Sequence, residues 1–272
     1  MTLTPQSHLA FLETLGLNLI DQALKIADES FQIFTKEDQS PVTSVDLALN
    51  KIILEKISAQ YPNDAIVSEE VPLATPIISN RVWFVDPLDG TKDFIKGTGQ
   101  WGIHIGLALN HRPWAGLVVH PVAQKCYLAE SGNGAYVIEK GQARRSLKLS
   151  NSHRKDLRIV VSNSHSDPTV NQFIKAENIQ DVVPQGSIGL KAALILQDQG
   201  DLYFNTSGKC SLWDLCAPES LILEGGGELT YLSGESINYN ANLGTKVKET
   251  FLFGTPQAIE IGKRYLNSTT TS

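Results

Sequence analysis

Apolar side chains recur at helical intervals through Leu9, Leu12, Leu15, Leu19, Ala23 and Ile26, the stripe of an amphipathic helix. Thr4-Pro5 offers a start with proline at the first helical position, so a helix is expected over about residues 5 to 30. A polar stretch from Lys36 to Ser40 and Pro41 interrupt the pattern before Val45, Leu49, Ile52, Ile53 and Ile57 restore it, up to Tyr61-Pro62. The period then changes. Residues 65–68, 81–85, 101–109, 113–120, 125–129 and 135–138 are rich in β-branched and aromatic side chains. The last four are separated by Gly, Asn and Pro, which predicts an antiparallel sheet.

Beyond the polar stretch 150–156 the order of elements alternates. Strands are expected at 157–162, 181–183, 202–204 and 251–253, with helices at 168–176, 189–199, 215–224 and 256–266. Gly225-Gly-Gly227 reads as a C-cap, and the Ser/Thr-rich end, 268–272, is expected to be disordered. The fold class that follows is α+β joined to α/β: an N-terminal α+β lobe over residues 1–153 and a C-terminal α/β lobe over residues 154–272.

Composition narrows the partners. The 272 residues are 42% hydrophobic and 19% charged, which is the balance of a folded globular chain, and the net charge of -6 with no Lys/Arg block argues against a nucleic-acid polymer. No apolar run reaches the roughly 18 residues of a membrane span. The first residues lack the basic and apolar regions of a secretory signal, and Cys126, Cys210 and Cys216 show no CxxC spacing. A cytoplasmic protein with reduced thiols is expected. Gly97-x-Gly99-x-x-Gly102 has the spacing of a dinucleotide fingerprint, but strands rather than a helix follow it.

Carboxylates mark the candidate chemistry. Asp86-Pro-Leu-Asp89-Gly90-Thr91 follows the apolar run 81–85, and Pro87 and Gly90 allow a turn that aims both acids into one cavity. Two like charges at ~4 Å cost roughly 4 kcal/mol at an effective dielectric near 20, which a divalent ion would remove. An ordinary capped Asp-Pro turn fits the same residues. Glu69-Glu70 end the run 65–68, Asp46 lies in the first turn of the second helix, and Asp214 stands where a later helix begins. Singly these fit a solvated strand end, a dipole-favoured acid and an N-cap.

Together, Glu69-Glu70, Asp86-Pro-Leu-Asp89-Gly-Thr91 and Trp213-Asp214-x-x-Ala-Pro resemble the inositol monophosphatase superfamily. Thr91-Lys92-Asp93-Phe94, Ser162-Asn-Ser164-His165, Gly186-Ser-Ile-Gly189-Leu-Lys191 and Ser207-Gly-Lys-Cys-Ser-Leu-Trp-Asp are most similar to its 3′(2′),5′-bisphosphate nucleotidases. The resemblance implies a layered αβαβα sugar-phosphatase-type fold. It implies two or three Mg²⁺ ions held by Glu69, Asp86, the Leu88 carbonyl, Asp89 and Asp214, and lithium sensitivity. Thr91 and Asp46 would activate the attacking water with help from Glu70. Gly90, Thr91 and Asp214 would meet substrate at the phosphate end, and Ser164, His165 and Lys191 at the nucleotide end. Lys36, on its polar loop, would guard the metal site. The implied substrate is a small phosphate ester, 3′-phosphoadenosine 5′-phosphate, cleaved to AMP and phosphate. Residue 163 is Asn where many nucleotidases carry Arg, which keeps open an inositol phosphate or other small phosphate ester as substrate. A non-catalytic nucleotide- or metal-binding regulator is the third reading.

Overall fold

The computed structural model describes residues 7–149 and 156–270. Helix α1 (Leu9–Asp28) precedes the short strands β1 (Ile33–Thr35) and β2 (Pro41–Thr43) and helix α2 (Ser44–Gln60). Strands β3 (Ala65–Ser68) and β4 (Arg81–Asp89), helix α3 (Thr91–Ile95), and β5 (Gly102–Leu109), β6 (Arg112–His120), β7 (Lys125–Glu130), β8 (Gly134–Glu139) and β9 (Arg145–Leu147) follow. After residue 156 come β10 (Arg158–Ser162), α4 (Pro168–Ala176), β11 (Asp181–Gln185), α5 (Ile188–Leu196), β12 (Leu202–Asn205), β13 (Cys210–Ser211) and α6 (Leu212–Glu224). The chain continues through β14 (Glu228–Tyr231), β15 (Lys246–Val247), β16 (Phe251–Gly254) and α7 (Pro256–Thr270).

Two sheets organise these elements. Strands β3 to β9 form a seven-stranded sheet in chain order, antiparallel except for the β3–β4 pair. The other sheet has five strands in the order β11-β10-β12-β16-β14.

Alternation along β4 and β5 gives each sheet face its own partner. Trp83, Val85, Ile103, Ile105 and Leu107 pack with Leu12, Leu19, Leu49 and Ile53 of α1 and α2. Phe84, Val82 and Ala108 face the other way, toward Leu190 and Ile195 of α5 and Leu215 and Leu221 of α6. The same cluster takes in Val160, Tyr203 and Phe253 of the five-stranded sheet. That sheet's far side packs with α4 and α7 through Phe173, Phe204, Leu252 and Ile259. The result is the αβαβα layering implied by the resemblance. The boundary expected at 153/154 lies outside the described residues, and one apolar cluster holds side chains from both sides of it.

Helix α6 approaches the large sheet closely because two glycines let it. A Cβ on Gly106 would come within 2.6 Å of Cys216 and Ala217, and one on Gly116 within 2.6 Å of the Ala217 carbonyl. Buried in this layer, the Glu219 carboxylate accepts from the Tyr239 hydroxyl at 2.5 Å, and its Oε1 has no hydrogen-bond partner. Burial, opposed by that hydrogen bond and the Arg112 charge, pushes its pKa from 4.5 up to about 7. A raised folded-state pKa means that the native protein binds the proton more tightly than the unfolded chain between those two values. Stability is therefore lost as pH rises through that window. Glu219→Gln removes the titration, so its stability relative to the parent, from urea unfolding, is expected to improve by about 3 kcal/mol between pH 4.5 and pH 8. An equal difference at both pH values would contradict this assignment.

Some boundaries differ from those expected. The first helix starts at Leu9 rather than near Pro5: residues 7 and 8 are not helical, and the amide of His8, the N-cap, donates to Glu130 at 2.8 Å; residues 5 and 6 lie outside the described part. At the other end α7 runs on through Thr270, and the Ser268 hydroxyl donates to the Tyr265 carbonyl. The expectation of disorder from 268 fails because the last turn is tied back by its own hydroxyls, Thr269 donating to the Leu266 carbonyl at 2.9 Å as Ser268 does to Tyr265; 271 and 272 are outside the described residues.

Candidate active site

The Asp86 turn forms by a break in strand register. Asp86 pairs with His104 and Asp89 with Gly102, so three steps along β4 match two along β5. In a regular strand residues three apart point to opposite faces. The extra residue of this bulge returns Asp89 to the face that Asp86 occupies. The Leu88 amide donates to Asp86 Oδ1 at 2.9 Å and closes the turn. Gly90 follows with φ 95°, a left-handed conformation that glycine adopts without strain.

Three elements bring acids together at this turn. Glu69 follows β3, Asp86 lies in β4, and Asp214 is in the first turn of α6; oxygens of the three lie within 4.8 Å of one another. Asp214 is the third residue of its helix rather than the N-cap. Ser211 caps α6, and its amide donates to Asp214 Oδ2 at 2.7 Å. Burial and the negative neighbours Glu69, Asp89 and Asp214 raise the Asp86 carboxyl well above its ordinary range. Burial together with Asp89 and Glu69 does the same to Asp214. Crowded, desolvated, all-oxygen donors of this kind suit a hard divalent cation, and the group is compatible with a metal site.

Asp89 is engaged differently. Its Oδ2 accepts from the Ile188 amide at the start of α5 and lies 3.3 Å from His104 Nε2. It is not one of the three most closely grouped acids, yet it contributes to the field on both Asp86 and Asp214.

The pair expected to handle water does meet. Thr91 Oγ1 lies 3.3 Å from Asp46 Oδ1 and 3.2 Å from the Leu88 carbonyl. Asp46 sits in a capping box, its Oδ2 accepting from the Thr43 amide at 2.9 Å and the Thr43 hydroxyl at 2.5 Å. Burial nevertheless raises its pKa, against the pull of those two donors. Lys36, between β1 and β2, places its ammonium 2.7 Å from Glu69 and 2.7 Å from Glu70. Glu70 is pushed up to about 7, mainly by burial, with Lys36 opposing. A cavity of about 430 Å³ opens here, lined by Lys36, Glu69, Glu70, Trp213 and others.

The residues expected at the nucleotide end are less alike. His165 is exposed, and its Nε2 lies 3.0 Å from Lys92 Nζ. Its pKa is lowered by partial burial and by Lys92, Lys209 and Lys191. Ser164 donates to Asp93 at 2.8 Å beside Asn163, whose amide donates to the same carboxylate at 2.8 Å. That clasp ties the end of β10 to α3, and it commits the Ser164 proton. Lys191 is 3% exposed, so it is no solvated helix lysine. Its ammonium donates to the Ser187 carbonyl at 3.2 Å and lies 5.2 Å from the centre of the Tyr203 ring. Burial lowers its pKa.

His104 carried no signal in the sequence. It sits inside an ordinary apolar strand pattern, and only its pairing with Asp86 across the sheet exposes its place. The ring is fully buried, and burial keeps its pKa below the usual histidine value.

Comparison with known proteins gives the family. The model of the inositol monophosphatase family matches residues 7–257. The chain belongs to that family. It is 33% identical over 218 residues to the 3′(2′),5′-bisphosphate nucleotidase CysQ of Aggregatibacter actinomycetemcomitans, covering 78% of this chain and 79% of that one. It is 30% identical over 229 residues to the CysQ nucleotidase of Escherichia coli strain K12, covering 83% and 91%. Among solved structures, the extragenic suppressor protein suhB of Bartonella henselae superposes with a TM-score of 0.80 at 20% identity, covering 96% of this chain and 98% of that one, a likeness of fold. The chain is thus a bisphosphate-nucleotidase-like phosphomonoester hydrolase. No helix among the described residues is long and apolar enough to cross a membrane.

Proposed function

We propose that this enzyme removes the 3′-phosphate of 3′-phosphoadenosine 5′-phosphate, giving AMP and phosphate, with two or three Mg²⁺ ions held by Glu69, Asp86, Asp89, Asp214 and the Leu88 carbonyl. The observation that carries the reading is the meeting of Glu69, Asp86 and Asp214 within 4.8 Å, next to the Thr91–Asp46 contact. Oxygen donors without Cys favour Mg²⁺ over zinc. When bound, the ions neutralise the crowded acids, polarise the phosphoryl group and acidify water.

The protein's own groups do the rest. Thr91 Oγ1 orients the attacking water and passes its proton to Asp46, whose burial makes it a stronger base than an exposed aspartate. Thr43 holds the other oxygen of Asp46, which fixes the direction of transfer. Glu70, with its pKa raised to about 7, assists in placing water. The amides of Gly90 and Thr91 hold phosphate oxygens, and Asp214 meets the substrate at the leaving side. In this reading the lobes 1–153 and 154–272 face each other across the site.

For the nucleotide half, the Lys92–His165 contact supports an anion subsite for the 5′-phosphate. It replaces the Arg that residue 163 lacks. Ser164 contributes by fixing Asp93, and Lys191 by its buried positive charge. The nucleotide substrate named for the two curated relatives supports the same choice. Three buried free thiols fit a reducing, cytoplasmic setting.

Product analysis tests the reaction. Incubation with 3′-phosphoadenosine 5′-phosphate and Mg²⁺ is expected to yield AMP, and the appearance of adenosine 3′-phosphate instead would overturn the proposed regiochemistry. Lys92→Ala is expected to raise KM for this substrate roughly tenfold, the loss of about 1.4 kcal/mol of binding, with little change in kcat. An unchanged KM would remove Lys92 from the subsite.

A further inference from the structure

We propose that His104 is a positioning residue for the metal site, acting through the start of helix α5 to hold Asp89 in its ligating orientation. The inference rests on the reading of Asp89 as a metal ligand. Three polar groups surround one ring nitrogen. The Gly189 amide donates to His104 Nε2 at 3.1 Å, Ser187 Oγ is 3.2 Å from it, and Asp89 Oδ2 is 3.3 Å away. Because Nε2 accepts from Gly189, the neutral ring carries its hydrogen on Nδ1. Nδ1 is buried and forms no hydrogen bond, while the ring lies beside the Asp214 main chain. The Asp214 carbonyl lacks its usual helical donor, since residue 218 is a proline without an N–H.

The consequence is mechanical. Gly189 is the second residue of α5, and its amide is among the first four that a helix cannot satisfy internally. Accepting from it, His104 fixes the start of α5, and the neighbouring Ile188 amide then donates to Asp89 Oδ2. One Asp89 oxygen is thereby held, leaving the other for a cation. The fit has no slack. A Cβ on Gly189 would fall 2.3 Å from His104 Nε2, and Ser187 adopts φ 52° with ψ 132°, a positive-φ conformation uncommon for serine. Strand register adds the last constraint, since His104 pairs with Asp86 itself. A single ring therefore underlies two of the proposed ligands and adjoins the main chain of a third.

Mn²⁺ binding to the substrate-free protein, read by electron paramagnetic resonance, tests this apart from turnover. His104→Gln can bring a carboxamide oxygen to the Nε2 position and accept from Gly189, whereas His104→Asn is too short and His104→Leu offers no acceptor. Loss of an outer hydrogen bond of this kind weakens metal binding by about 10–100-fold. Such a loss is expected for Leu and Asn, with Gln within about threefold of the parent. Asp89→Asn serves as the reference for a lost ligand. Should Asp89→Asn bind Mn²⁺ normally, the metal reading of Asp89 falls, and this inference with it. Weakened binding in Asp89→Asn with parental binding in all three His104 variants overturns the inference alone, as does rescue by Asn instead of Gln. If the Leu variant does not fold, by near-UV circular dichroism, the Gln–Asn contrast still decides the matter.

Discussion

Asp86→Asn is expected to lower kcat by at least about 10³-fold and, at the same time, to raise the melting temperature of the metal-free protein by about 2–6 °C. Both effects have one cause. Asp86 is fully buried and shares its space with Glu69, Asp89 and Asp214, so its carboxyl is pushed well above the ordinary range by burial and by those neighbours. The asparagine keeps the shape and the oxygen that accepts from the Leu88 amide, but it removes an ionisable group from the crowd. The relief amounts to roughly 1–2 kcal/mol, less than the ~4 kcal/mol of a fully ionised pair because the acids take up protons instead. With fewer negative charges the site loses its hold on a cation, and the activity goes with it. Stability spent on a functional cluster is recovered when the function is removed. Calorimetry of both proteins in chelator, beside their kcat values in Mg²⁺, measures the two effects; a variant that is active or less stable would contradict this account of the cluster.

Thr91→Ala is expected to lower kcat by about 10²–10⁴-fold with KM nearly unchanged, and Thr91→Ser to restore most of it. The hydroxyl has two acceptors within reach, Asp46 Oδ1 at 3.3 Å and the Leu88 carbonyl at 3.2 Å. It can therefore donate to one while its lone pairs receive a proton from water. Neither acceptor requires the methyl group, which is why serine suffices. Thr91 is half-buried and anchors no part of the apolar core, so truncation is not expected to unfold the protein. Stopped-time phosphate release gives the comparison. If alanine and serine were equally impaired, the hydroxyl would not be the working group.

What the sequence revealed depended on what the chemistry left to local pattern. The acids of Glu69, Asp86 and Asp214 were legible because each adjoins a strong strand or helix signal. The bulge was not legible, since nothing between Asp86 and Asp89 states that Gly102 and His104 will be their partners. His104 and the Gly189 amide that it holds are 85 positions apart and meet only through packing. The burial of Lys191, a candidate for the nucleotide end, was not legible, because both faces of α5 are covered in the layer between two sheets. Strands β1, β2 and β9 were not legible for a different reason: three residues leave too little period to detect. Ser164 is a candidate for the substrate's nucleotide end, and its hydroxyl donates to Asp93, a partner that the sequence did not indicate. A side-chain hydroxyl at a strand end looks the same in sequence whichever acceptor it finds.

The most direct measurement is kcat/KM for phosphate release, in Mg²⁺, from 3′-phosphoadenosine 5′-phosphate and from inositol 1-phosphate on the same preparation. The proposed metal and water chemistry is common to both substrates, so only the Lys92–His165 side distinguishes them. A preference of at least about 10²-fold for the nucleotide, some 2.7 kcal/mol, is expected from a second phosphate held by those two side chains. A preference for the inositol ester would contradict the nucleotide assignment, and release from neither substrate would contradict the proposed chemistry as a whole.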